Sequence, residues 1–166
     1  QLGRDVTELQ RQVKDLQQGV DARMSKFEPQ KVSIDGNEFA ADPDEKKLYD
    51  DAMGVLRGGD FSAAATALSA FQKRYPASGY ADSVLFWLGN AYYGKRDYKE
   101  AMASFRSLLS KAPNHPRAPE ALLSVANCQL ELKDAKGARK TLGELIKAYP
   151  KSEAAQAGRE RLASLK

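Results

Sequence analysis

Between Asp44 and Lys166 apolar residues recur three and four positions apart, in runs about one helix long, and the whole pattern returns every 37 residues. Asp60, Asp97 and Asp134 share that spacing, as do Ala64, Ala101 and Ala138, then Leu68, Phe105 and Leu142, then Pro76, Pro113 and Pro150. So do Leu48, Leu85 and Leu122, the small residues Ala52, Gly89 and Ala126, and finally Ala81, Ala118 and Ala155. Agreement among so many registers predicts an internal repeat.

Each unit reads as two helices. In the central one, helix A spans about 82–95 with Leu85, Leu88, Gly89 and Tyr92 on one face, and helix B spans about 98–111 with Ala101, Phe105 and Leu108 facing it. Small residues at Gly89 and Ala101 let the two helices approach closely. Proline at 76, 113 and 150 ends each helix B, because it lacks an N–H and disfavours the helical conformation of the residue before it. Asp60, Asp97 and Asp134 stand where they can accept hydrogen bonds from the free amides opening helix B. The expected fold is all-α: three helix pairs over about 44–80, 81–117 and 118–151, closed by a polar-backed capping helix over 152–166.

Upstream, Leu2, Val6, Leu9, Val13, Leu16, Val20 and Phe27 form a heptad seam over residues 1–27. A short coiled-coil helix is expected there, marginal alone and stabilised by self-association. Valine at a with leucine at d favours two strands, while Gln10, Gln12 and Gln17 at the flanking positions supply no charge pairing to fix the number. Between the seam and the repeats, Pro29, Gly36 and Pro43 punctuate residues 28–43, which read as a flexible linker. Asp42-Pro43-Asp44-Glu45 then reads as a helix start.

Charge divides the chain. Residues 1–43 hold six Lys/Arg against eight Asp/Glu, and residues 44–166 hold twenty against fourteen. Many of the repeat-domain cations (Lys73, Arg74, Lys95, Arg96, Lys111, Lys133, Lys147) sit where helices should end, so they complement helix dipoles and call for no nucleic-acid partner. No apolar run is long enough to span a bilayer. The single Cys128 excludes an internal disulfide, and its setting reads as a buried helical thiol. His115 is the one histidine and lies in a proline-flanked loop, so no histidine-based triad or metal site is expected. Adjacent carboxylates such as Asp50 and Asp51 point about 100° apart on a helix and form no acid–base pair. Neither an enzyme nor a cofactor is expected.

The run Phe86-Trp87-Leu88-Gly89-Asn90-Ala91-Tyr92-Tyr93, with Asp97, Tyr98, Ala101, Phe105 and Pro113, closely resembles the tetratricopeptide repeat (TPR) consensus, departing from it at Leu85. Tyr75-Pro76-Ala77-Ser78 and Tyr149-Pro150-Lys151-Ser152 make longer loops that resemble those of the subgroup found in bacterial envelope proteins. With the coil ahead of it, the layout resembles the CpoB/YbgF family, the periplasmic cell-division coordinators of the Tol-Pal system. That resemblance implies a periplasmic location after removal of a signal peptide, a trimeric coil, and TolA as partner of the repeats. It also implies a link between a penicillin-binding peptidoglycan synthase and outer-membrane constriction.

A TPR superhelix lines its concave face with the A helices. The positions expected to point inward are Lys46, Tyr49, Met53 and Leu56 in the first unit, Ser83, Phe86, Asn90 and Tyr93 in the second, and Glu120, Leu123, Asn127 and Leu130 in the third. Asn90 and Asn127 share a register, and an asparagine inside a helix suggests an amide kept for a ligand's backbone. Two alternatives stand beside this adaptor. One is an outer-membrane assembly component, which needs a lipid-accepting cysteine that Cys128 cannot supply. The other is a cytosolic peptide-binding TPR module, which needs more inward cations than Lys46.

Overall fold

The structure is a computed structural model that describes residues 1–165. Its elements in order are α1 (Leu2–Ser25), β1 (Gln30–Ile34), β2 (Asn37–Ala41), α2 (Pro43–Arg57), α3 (Phe61–Arg74), α4 (Ala81–Gly94), α5 (Tyr98–Lys111), α6 (Ala118–Glu131), α7 (Ala135–Ala148) and α8 (Glu153–Ser164). Helices α2/α3, α4/α5 and α6/α7 are the three A/B pairs, each packed on the next, and α8 packs against α6 and α7. This is an all-α TPR superhelix with one β-hairpin added.

Three buried clusters run through the stack. The first joins α2, α3 and α4 around Tyr49, Leu68, Phe71, Tyr80 and Val84, the second lies between α4, α5 and α6 around Phe86, Phe105, Leu108 and Val125, and the third holds Leu122, Leu142, Leu145 and Ala155 under α8. The close approach expected at Gly89 is real: a Cβ built there would lie 2.6 Å from the Phe105 ring. Tyr75, Ala112 and Tyr149, each before a proline, end the B helices. Of the three aspartates opening those helices, Asp60 and Asp134 accept from the amides of Ala63 and Gly137 at 3.0 and 2.9 Å, whereas Asp97 makes no such bond.

The main departure from expectation lies in residues 28–43. The sequence predicts a flexible linker; the structure has an antiparallel hairpin pairing Gln30 with Ala41, Val32 with Phe39 and Ile34 with Asn37. Its two-residue turn is Asp35-Gly36, with φ of 49° and 76°, the left-handed pair that matches strand twist in a tight hairpin. Val32, Ile34 and Phe39 pack onto the first cluster and Ala41 is buried in it. The Phe39 ring lies directly over Gly79, leaving no room for a Cβ there, and stands edge-on to Tyr80 at 4.8 Å. Two strands are marginal in water by themselves, so this docking is what holds them.

Two outcomes test the packing. Gly89→Ala should destabilise the fold by roughly 1–3 kcal/mol in urea denaturation, since the new methyl must displace the Phe105 ring; an unchanged midpoint would contradict the close contact. Burial pushes the Cys128 thiol up to about 11 and the Tyr80 phenol up to about 12, and it raises Tyr49 further. Above its ordinary value each group is already ionised in the unfolded chain but still protonated in the folded one, so stability should fall as pH rises from about 9 to 12. A melting temperature equal at pH 8 and pH 11 would refute this.

Candidate functional site

The hairpin packs on the first cluster, and its tip reaches the start of the A helices α4 and α6. At the hairpin tip, the Asp35 carboxylate accepts from the Ser83 hydroxyl at 2.6 Å and from Arg117 Nε at 3.1 Å. His115 Nε2 lies 3.7 Å from the same carboxylate, whose side chain is 11% exposed. Ser83 is in the first turn of α4, and Arg117 immediately precedes α6. One carboxylate therefore ties the hairpin to both the second and the third helix pair. Arg117 is itself fixed: its guanidinium lies 5.1 Å from the Phe86 ring centroid and 4.8 Å from that of Trp87, with Glu120 3.5 Å away. Its backbone amide donates to His115 Nδ1 at 3.0 Å.

Several residues expected to meet a partner are instead core. Tyr49, Met53 and Phe86 are 5%, 8% and 1% exposed. Tyr49 stacks on Tyr80 at 4.1 Å in the first cluster, and Phe86 packs edge-on to Phe105 in the second. Their register is right for helix A, but the next unit and the hairpin close over them. Leu56 packs half-buried against the first cluster, and Lys46 is drawn to Asp50 on its own helix at 2.6 Å. Ser83 points inward as expected but is taken by Asp35.

What stays accessible lies toward the C-terminal half. Asn90, Tyr93, Leu123, Asn127 and Leu130 are each half-buried. Asn90 turns its amide back to the Phe86 carbonyl at 2.9 Å, so it is satisfied within its own helix. Asn127 differs: its Oδ1 is buried and has no hydrogen-bond partner. Tyr93 stands edge-on to Tyr98 at 5.3 Å, and burial raises its phenol. The seam residues of α1 (Leu2, Val6, Leu9, Val13, Leu16 and Val20) are all exposed, and no residue of α1 is buried.

Sequence reasoning missed Asp35, His115 and Arg117 as a group, since 82 residues separate the first from the last. The hairpin was nevertheless announced: Asp-Gly between Val32/Ile34 and Phe39/Ala41, apolar at alternate positions, is a strong short-range turn signal. Among the described residues no group of three or more metal-ligating side chains converges, and no helix is long and apolar enough to cross a membrane.

The stacked helix pairs and their inner face define a TPR protein-interaction module. Residues 41–166 match the YfiO family, described as "Outer membrane lipoprotein", and the chain belongs to that family. A 63-residue stretch is 38% identical to the cell division coordinator CpoB of Pseudomonas putida, covering 37% of this chain and 24% of that protein. The chain thus matches about a quarter of that relative's length. Among solved structures, PcrH from Pseudomonas aeruginosa superposes with a TM-score of 0.60 at 18% identity, over 75% of this chain and 90% of that one. The Sgt2 TPR domain from Aspergillus fumigatus gives 0.59 at 18% identity, over 74% and 78%. Both share the fold.

Tyr49→Phe tests the reassignment of Tyr49 to the core. Its buried hydroxyl has no partner, so removing it should leave stability unchanged or raise it by up to about 1 kcal/mol in urea denaturation. A loss of more than about 1 kcal/mol would reveal a hydrogen bond and contradict this placement.

Proposed function

We propose that this chain is an adaptor of the bacterial cell envelope that self-associates through α1 and captures a segment of a partner protein on the free half of its inner face. The observation that carries the reading is the half-buried patch of Leu123, Asn127 and Leu130 on one face of α6, whose Asn127 Oδ1 has no partner within the chain; a turn of that side chain presents the oxygen to a backbone N–H of an incoming chain. Resemblance to CpoB supports TolA of the Tol-Pal system as that partner, in the periplasm, with a penicillin-binding peptidoglycan synthase as a further one. The role is then to coordinate peptidoglycan synthesis with outer-membrane constriction during division.

Membership of an outer membrane lipoprotein family favours a second reading, a scaffold for outer-membrane protein assembly. Cys128, fully buried, cannot be a lipid acceptor for it.

For the leading reading, Asn127→Ala combined with Leu130→Ala should weaken binding of the TolA periplasmic domain by tenfold or more in calorimetric titration, with helical circular dichroism unchanged. An unaltered affinity would refute the site. For self-association, α1 is about 36 Å long and carries its whole apolar seam in solvent, with Leu2 83% and Leu16 71% exposed. Deleting residues 1–27 should convert an oligomer into a monomer in sedimentation equilibrium. A monomeric intact chain would overturn the coil, and the mass of the oligomer decides between the two strands its seam favours and the three that resemblance implies.

A further inference from the structure

The repeats hold an extended piece of their own chain by a carboxylate, Asp35 at the hairpin tip. The groups that hold it all come from the repeats and are positioned without it. Ser83 is set by the first turn of α4, Arg117 is braced on Phe86, Trp87 and Glu120, and His115 is oriented by the Arg117 amide. The resident, by contrast, is a two-stranded hairpin with no stability of its own to contribute. Beside its tip a cleft lined by Gly36, Asn37, Gly79, Asp82, Ala112 and Pro116 also reaches Ser83, His115 and Asp35 itself, so two of the three groups and their carboxylate ligand border it.

We propose that Ser83, His115 and Arg117 form a carboxylate-receiving site, that Asp35 is its resident and exchangeable ligand, and that a partner segment replacing it carries an Asp or Glu in an extended or tightly turned backbone. A guanidinium held on two aromatic rings and a hydroxyl donating at 2.6 Å are better matched to an anionic oxygen pair than to the single carbonyl oxygen of a neutral amide of similar size. The proposal rests on the inner face being the partner-binding surface, and it extends that surface to the end the hairpin covers.

The test opens the site in the full chain with Asp35→Asn and Phe39→Ala together, removing the charge and the ring that anchors the hairpin over Gly79. Two cyclised peptides of residues 30–41 are then titrated, one with the native sequence and one with asparagine at 35. Binding is followed by the fluorescence of Trp87, the chain's one tryptophan, which lies under Arg117. The opened chain should bind the native peptide at least tenfold tighter than the asparagine peptide, and the unaltered chain should bind it at least tenfold more weakly than the opened chain does. Equal binding of the two peptides, or binding of neither, would overturn the proposal. Should the double variant lose its helical signal, Asp35→Asn alone decides by amide exchange. Hairpin amides should then exchange at least tenfold faster than in the unaltered chain while α4 amides stay as slow; an unchanged hairpin rate would show a permanent part of the fold. Asn127→Ala, which lies outside this site, should leave the peptide result unaltered, so a failure of TolA to engage Asn127 and a failure of the carboxylate site are read separately.

Discussion

No helix pair in this chain can bury its own apolar face, and everything else follows from that constraint. Leu85 and Leu88 on α4 and Phe105 on α5 are covered only because the next unit and the previous one are in place. Close stacking needs small residues at the crossing, which is why Gly89 takes the Phe105 ring at a distance no Cβ would permit. Gly158 makes a milder case, where a Cβ would lie a tight 3.0 Å from the end of the Leu145 side chain under the last helix. A stack of this kind has two ends, and each must be closed by something that is not a further repeat. At the C-terminal end α8 covers Leu142 and Leu145 with a polar outer side. At the other, the hairpin lays Val32, Ile34, Phe39 and Ala41 on the first cluster.

Closing the N-terminal end with a hairpin has a functional cost and a functional use. Tyr49 and Met53 of the first pair are interior, in the cluster on which the hairpin packs, while Asn90 and Tyr93 on α4 and Leu123, Asn127 and Leu130 on α6 stay half-buried. The hairpin also fixes the route by which α1 leaves the domain, since only residues 26–29 separate the coil from β1. A coil that gathers several chains would therefore hold several inner faces in a defined arrangement, which suits an adaptor whose avidity comes from multiple weak contacts.

The repeat boundaries were legible because turn and stop residues act locally: a proline ends a helix whatever surrounds it, and the 37-residue spacing repeats those stops three times. The burial of Phe86 was not, because whether an inward position meets solvent or a neighbour depends on side chains from other elements, here Phe105 and Arg117, 19 and 31 residues downstream. The carboxylate of Asp35 was invisible for the same reason, its partners lying 48 and 82 residues downstream. The hairpin itself was legible and misread, since proline and glycine around it weigh toward a linker while alternation of Val32, Ile34, Phe39 and Ala41 weighs toward strands. Asp97 shows the limit of repeat logic: it holds the register of Asp60 and Asp134 but makes no capping bond.

The chain thus presents two different kinds of surface, an exposed apolar seam on α1 and half-buried side chains on α4 and α6. Amide hydrogen exchange of the full chain, with and without the TolA periplasmic domain, separates them most directly. Protection gained over residues 90–93 and 123–130, with the outer helices α3, α5 and α7 unchanged, is the result expected of an inner-face adaptor. Protection confined to the outer helices, or to α1 alone, would contradict it.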